Sequence, residues 1–302
     1  MAGLSILRPG MFTTVQDLGR WGLQSRGVPV SGAMDWYSHR LANGLLKNDS
    51  SLATLEVTLT GPHLRFDAGS AFAVAGAAFD LTLDDVPVEM NAAIEARPGA
   101  VLKFGPRRCG ARAYIAVNVG VDVPEVLGSR STHPLTGMGG YEGRSLRAGD
   151  TIRVGESIDG PVPGSAIASR PLTLTGSHAR LRMIPADQRL AADLTGRRFL
   201  VSTRSDRMGY RLEGAAIAAA PGEMVSMAIP TGAIQVPPTG QPILLMNDHA
   251  TTGGYAIVGT VITADLPLAG QLAPGDWIEF EACSIETARA ELRQREAALG
   301  AG

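Results

Sequence analysis

Short apolar runs recur along most of the chain, broken roughly every eight to twelve residues by Gly, Pro or Asp, which is the rhythm of an all-β barrel or sandwich. Residues 52–59, 71–75, 113–119, 199–203, 243–246 and 255–263 read as strands on this pattern. Three stretches keep a helical period instead. After Ser31, a capping residue type, Met34, Tyr37, Leu41 and Leu45 fall on one face and predict a helix from about Ala33, with Asp35, His39 and Asn43 as an opposite polar stripe facing solvent. A short helix is expected over 186–194. The last is expected over 285–299, capped by Ser284, with Glu291 and Arg295 at the favourable i, i+4 spacing.

Residues 155–170, rich in Gly, Pro and Ser, form the best linker. They divide the chain into an N-terminal β-rich domain, 1–160, and a C-terminal β-barrel domain, 161–302. Both halves carry Gly-Gly-Tyr followed by Leu-x-x-Gly-Asp, at Gly139 and Gly149 in the first and at Gly253 and Gly275 in the second. The repeat predicts two related halves in which Gly-Asp turns into a strand.

At 302 residues the chain is long enough to bury about three quarters of its unfolded surface. Its net charge of -2 supplies no field to gather nucleic acid or an anionic membrane, so neither is an expected partner. Of 27 basic residues only Lys47 and Lys103 are lysines, and each follows Leu. Neither can be a P-loop lysine, which follows Gly, and neither sits in a Met-Lys-Met biotin site. Arginine is therefore the cationic tool, suited to two-pronged recognition of oxygen pairs. Cys109 and Cys283 read as buried thiols in a reducing compartment. No His pattern points to zinc, and no apolar run suits a signal peptide or membrane span. The expected location is the cytoplasm.

Candidate chemistry gathers in several places. Gln16, Asp17 and Arg20 bring an amide, a carboxylate and a guanidinium within five residues; either they bind a ligand or Asp17 caps a turn and pairs with Arg20 at the surface. Asp35 and His39, one helical turn apart, are an acid/base pair or two solvated residues. Glu56, inside an apolar strand, needs a partner, for which Arg130 and Arg20 are candidates. The polar run around Arg130 suits an anion or a plain turn. The richest region holds Arg207 and Tyr210, then Gln235 and Gln241, then a loop with Asp248, His249 and Thr252 at a strand end, where binding groups commonly sit.

Seven ordered motifs resemble one family: Thr-Val-Gln-Asp-Leu-Gly-Arg (14–20), Val-Pro-x-Ser-Gly-Ala-Met-Asp (28–35), Leu-Glu-Val-Thr-Leu-x-Gly-Pro (55–62), Leu-Gly-Ser-Arg-Ser-Thr (127–132), Ser-Asp-Arg-Met-Gly-Tyr-Arg-Leu (205–212), Gly-Ala-Ile-Gln-Val-Pro-Pro-x-Gly-Gln-Pro (232–242) and Thr-Thr-Gly-Gly-Tyr (251–255). They are similar to the family of 5-oxoprolinase C subunits, also called KipA, allophanate hydrolase subunit 2 or the biotin-dependent carboxyltransferase-like family. The resemblance runs from about Ile6 to Phe280. It implies a mainly β fold with two β-barrel-like domains, the second cyclophilin-like, and a few short helices.

The family further implies hydrolysis of 5-oxoproline to glutamate with ATP. The implied partners are a KipI-like B subunit, paired with this chain as a dimer of heterodimers, and a separate A subunit. ATP is expected to bind with one of the partners. Two alternatives stay open. One is biotin-dependent carboxyl transfer to urea or a related amide, with biotin supplied by another protein. The other is a KipA-type regulatory partner of a KipI-like kinase inhibitor. By the same resemblance Asp248, His249 and Asp17 are the expected catalytic residues. Gln16, Arg20, Arg130, Arg207, Tyr210, Gln235, Gln241 and Thr252 are expected to bind a small amide. Donors aimed at an amide oxygen are worth roughly 3 kcal/mol each in a dry site.

Overall fold

The computed structural model describes residues 3–155, 171, 172, 174, 176–186, 188–217 and 225–300. Two compact units emerge, one built from 1–20, 31–173 and 297–302, the other from 21–30 and 174–296. The expected boundary at 160/161 and residues 156–170 of the expected linker lie outside the described residues. Both units are β-rich, as the apolar punctuation requires, and the described helices are few.

The first unit holds β1 (Gly3–Arg8), β2 (Phe12–Gln16), α1 (Trp36–Leu45), β3 (Thr54–Thr58), β4 (His63–Phe66), β5 (Ser70–Leu83), β6 (Val86–Val88), β7 (Ile94–Ala96), β8 (Val101–Val117), β9 (Val121–Asp122) and β10 (Thr151–Val154). They form one barrel-like ten-stranded sheet, ordered β2-β3-β8-β4-β1-β10-β9, with β5 also on β8 and carrying β6 and β7. Its first strand pairs with its last, Gly3 facing Arg153. Strand alternation splits β5 cleanly. Phe72 and Val74 enter the main core with Phe66, Ile115 and Val57, while Ala71, Ala73 and Ala75 lie under Leu41, Ala42 and Leu45 of α1. Alanines on that face let the helix approach. Gly76, at φ +109°, bends β5 where any Cβ would sit 2.5 Å from the Arg112 carbonyl oxygen.

Helix α1 starts three residues later than the pattern suggests. Ser31 and Gly32 take left-handed φ of 57° and 88°, which no helix continues, and Asp35 caps instead by accepting from the Ser38 amide at 2.8 Å. The polar stripe is also buried: Asp35, His39 and Asn43 are all inaccessible. Asp35 serves the cap, Asn43 donates to the Leu52 carbonyl at 2.8 Å, and His39 bonds Thr54 Oγ1 at 2.9 Å and the Ser50 carbonyl at 3.1 Å. Glu56 finds partners, among the described residues, other than the expected Arg130 and Arg20. Its carboxylate accepts from the Met34 amide and the Tyr114 hydroxyl, both at 2.8 Å, and Arg112 stands 3.9 Å away.

The second unit contains β11 (His178–Pro185), α2 (Gln188–Leu194), β12 (Arg198–Val201), β13 (Gly209–Glu213), β14 (Met227–Ala228), β15 (Ala233–Val236), β16 (Ile243–Leu245), β17 (Thr252–Gly253), β18 (Ala256–Val261), α3 (Leu266–Gly270) and β19 (Trp277–Ala282); α4 (Ile285–Gly300) follows. Seven strands close into a barrel in the order β11-β18-β15-β16-β13-β12-β19, sealed by a parallel pairing of β11 with β19. Its filled interior includes Leu181, Phe199, Leu212, Ile234, Leu244 and Phe280. The two-stranded ribbon β14-β17 lies apart from this sheet. Ser284 caps α4 as expected, accepting from the Thr287 amide at 3.2 Å. Glu291, however, is drawn to Arg182 at 2.8 Å rather than to Arg295.

The repeated Leu-x-x-Gly-Asp motif is one device used twice. Gly149 and Gly275 share φ +92°, and Asp150 and Asp276 accept from amides three residues back, those of Arg147 and Ala273, before β10 and β19 begin. Gly-Gly-Tyr is not equivalent: Gly139 and Gly140 are left-handed, whereas Gly253 belongs to β17. Among the described residues no helix is long and apolar enough to cross a membrane. Cys109 and Cys283 are free and half-buried.

Burial pushes His39 from 6.5 down to about 4, against the opposing pull of Asp17 and the Ser50 carbonyl. The folded state therefore excludes a proton that the unfolded state binds. Stability is full above pH 6.5 and falls by roughly 3 kcal/mol as pH drops through about 4. Urea unfolding across this window should show that decline in the wild type and a flatter one in His39→Gln. Identical slopes would refute the assignment.

Candidate functional site

Four of the expected site residues lie in the first unit, where β2 runs into residues 17–20. Asp17 is 8% exposed, and its carboxylate accepts from Ser129 Oγ at 2.7 Å, the Gly19 amide at 2.8 Å, Ser131 Oγ and the Arg130 amide. Burial alone would raise its pKa, but these hydrogen bonds outweigh it and hold the carboxyl below its usual range. Arg20 is buried and donates to the carbonyls of Val126 and Ser131. Gln16 is buried too, its amide nitrogen bonding Thr14 and the Thr132 carbonyl. Arg130 reaches out to Glu125 at 2.6 Å. Most of these contacts tie β2 to residues 126–132, while Gln16 Oε1 is buried without a hydrogen-bond partner among the described residues. Asp17 and Arg20 are thus buried rather than paired at the surface.

The second unit holds the other seven, of which Gln235, His249 and Thr252 line a cavity of about 280 Å³. Its position follows from strand register. Gly209 faces Leu245, Arg211 faces Ile243, and Gln235 also faces Ile243. Residues opposed across a sheet share a face, so these five share the barrel's outer surface, and all of them line the cavity. The intervening row, Tyr210, Leu244 and Ile234, is buried on the opposite face. Tyr210 accordingly packs into the barrel interior, away from the cavity. Arg211, one residue on, takes the place expected for it.

The ribbon β14-β17 and the loop before β17 cover this floor. Thr252 and Gly253 come from the ribbon, Ile229 follows its first strand, and His249 and Ala250 come from the loop. A Cβ at Gly253 would stand 2.5 Å from Ile229 Cδ1 and 3.1 Å from the Gln235 amide nitrogen, so a side chain here would displace both. Gln235, 5% exposed, has among the described residues a single side-chain contact, 3.5 Å from that nitrogen to the Tyr255 carbonyl. Its amide is available to a ligand.

His249 is 6% exposed, and burial lowers its pKa below the usual imidazole range, despite the Ala250 carbonyl and nearby Asp248. Nδ1 donates to the Ala250 carbonyl at 2.7 Å, so the neutral ring carries its lone pair on Nε2, 3.1 Å from the Thr231 hydroxyl. Asp248, by contrast, does not orient this ring. It forms a buried two-pronged pair with Arg207, Nε to Oδ2 at 2.8 Å and Nη2 to Oδ1 at 3.1 Å. The Asp248 amide also donates to the Arg207 carbonyl, and the Met246 amide to that of Met208. Together these bonds clamp the 246–255 loop to the turn before β13. Arg207 and Asp248 are positioning residues and stay outside the cavity lining, as does Gln241, whose amide clasps both backbone groups of Gly214 at 3.2 Å.

The structure therefore brings Gln235, His249 and Thr252 together with Arg211, Asp206 and Tyr255, which lie in the same sequence motifs but are not among the expected site residues. Alternation within β13 is the available signal: once Tyr210 is inside, Arg211 must be outside.

The carboxyltransferase domain family, subdomain A and B, matches residues 26–282. The C subunit of 5-oxoprolinase from Escherichia coli strain K12 is 38% identical over 94% of this chain and 93% of its own length. The urea amidolyase of Lachancea kluyveri is 33% identical over 97% of the chain, but the chain spans only 18% of that protein. In the crystal structure of the Kluyveromyces lactis urea carboxylase a region 32% identical superposes with a TM-score of 0.92, covering 98% of this chain and 29% of that one.

The clamp makes a measurable prediction. Asp248→Asn leaves the Arg207 guanidinium buried without its carboxylate and should cost about 3–5 kcal/mol in urea unfolding. The double variant Arg207→Met, Asp248→Leu should recover most of that loss. A double variant as unstable as the single would contradict an ion-pair origin.

Proposed function

The chain belongs to the carboxyltransferase domain family, subdomain A and B, and on that premise we propose that it is the C subunit of a 5-oxoprolinase. The observation that carries this reading is one of coverage: the likeness to the E. coli 5-oxoprolinase chain runs through nearly the whole of both proteins, whereas urea amidolyase is matched over less than a fifth of its length. The assembly hydrolyses the ring amide of 5-oxoproline to glutamate at the expense of ATP. It is cytoplasmic and includes a KipI-like B subunit, with a separate A subunit.

Opening a lactam means overcoming amide resonance, with charge developing on the carbonyl oxygen. The Gln235 amide is placed to bond the substrate amide, and Ile243, Leu245 and Ile229 supply apolar walls for a small ring. His249 is neutral at working pH, with a fixed tautomer whose Nε2 lone pair can accept a proton from water once Thr231 yields it.

ATP does not fit this site. A cavity of about 280 Å³ is at the small end for ligand pockets. Lysine, the usual point charge for a triphosphate, is missing from its lining, and Lys103 is engaged by Asp85 at 2.6 Å. The nucleotide is assigned to another chain of the assembly, and no step here passes through it. The superposition on urea carboxylase supports a second reading, carboxyl transfer to an amide held in the same cavity. Biotin would then arrive on another protein.

The test is reconstitution. Mixed with folded B and A subunits, the chain should release glutamate from 5-oxoproline in an ATP-dependent manner, and His249→Gln should lower kcat by about 10²–10⁴ without altering assembly. Carboxylation by a biotin carrier without lactam opening would establish the second reading. Tight partner binding with neither activity would leave a purely regulatory module.

A further inference from the structure

Several arginines of the second unit are already occupied. Arg207 is forked by Asp248, Arg182 by Asp265 and Glu291, and Arg198 lies 2.6 Å from Glu279. Arg211 is different. Its backbone amide bonds Ser205 Oγ, but its guanidinium makes no ion pair among the described residues although it lines the cavity. The carboxylate nearest in sequence, Glu213, accepts from Ser202 Oγ at 2.5 Å, and Asp206, which also lines the cavity, spends an oxygen on the amides of Met208 at 2.8 Å and Gly209 at 3.3 Å. His249, the other basic side chain there, is held neutral by burial.

The register adds a distance. Arg211 and Gln235 both face Ile243, on β13 and β15 to either side of β16, so their backbones stand two strand spacings apart, about 9.5 Å. Between them lies an apolar floor. A planar cation and a neutral amide thus face each other across a gap that a small molecule with one carboxylate and one amide would bridge.

We propose that Arg211 is the specificity-determining residue of this cavity, anchoring a substrate carboxylate while Gln235 bonds the amide at the molecule's other end. The substrate class is therefore a small amide that carries an acid group. This deepens the oxoprolinase reading and rests on the same cavity. Arginine suits the role because its fork meets both carboxylate oxygens, which a lysine cannot do. An uncharged amide such as urea would leave Arg211 unengaged and gain nothing from it.

The experiment is calorimetric titration of the assembled complex, and of the full chain alone, with 5-oxoproline and with 2-pyrrolidinone, the same lactam without its carboxylate. The wild type should prefer 5-oxoproline by about 10- to 100-fold. Arg211→Gln should erase that preference and leave 2-pyrrolidinone affinity within about twofold, with Arg211→Lys recovering only part. Discrimination that survives Arg211→Gln would overturn the proposal, as would equal loss of both ligands in a variant with unchanged unfolding midpoint. Should the complex fail to open 5-oxoproline yet still select the acid form through Arg211, the oxoprolinase reading falls and the anchor stands.

Discussion

Closure of the second sheet governs what this molecule can do. Once seven strands seal into a barrel, each side chain must choose between a packed interior and the outside, and the interior is filled by Leu181, Phe199, Ile234, Leu244 and Phe280. No ligand can enter there. Chemistry has to be built on the outer wall, and a wall alone is convex and wet. The ribbon β14-β17 and the clamped 246–255 loop convert part of it into a cavity. The barrel supplies position, and the Arg207–Asp248 pair anchors the cover.

Much of this is legible in the sequence because strands announce themselves by local pattern. The runs at 113–119, 199–203 and 243–246 and the two Leu-x-x-Gly-Asp turns need only their own residues to specify them. What escapes is non-local. Asp35, His39 and Asn43 form a polar face that looks solvated, but residues 50, 52 and 54 arrive from outside the helix to satisfy it. Tyr210 reads as a binding residue through the family motif at 205–212; only the barrel register decides that it faces inward and Arg211 outward. The adjacency of Asp248 and His249 likewise hides their separation, since neighbouring side chains diverge and Asp248 finds a partner 41 residues earlier.

A preference for arginine runs through both units. With 25 arginines and two lysines, the chain favours a rigid planar donor over a flexible charge. Arg20 holds carbonyls, Arg207 and Arg182 hold carboxylates, and these are architectural uses in which the fork fixes geometry. The same property makes a guanidinium without an ion-pair partner conspicuous. Composition reveals the preference at a glance, but only the contacts distinguish an arginine that builds from one that waits.

The pairing of β1 with β10 has a consequence for synthesis. Gly3 meets Arg153 in the same sheet, so one of the earliest strands to leave the ribosome finds its neighbour only after some 150 further residues have emerged. Until then its edge is open, and such long-range closure is slow and exposed to wrong pairing. The nascent first unit thus depends on β4, which covers the other edge of β1 much sooner, to shelter an unfinished sheet while translation continues.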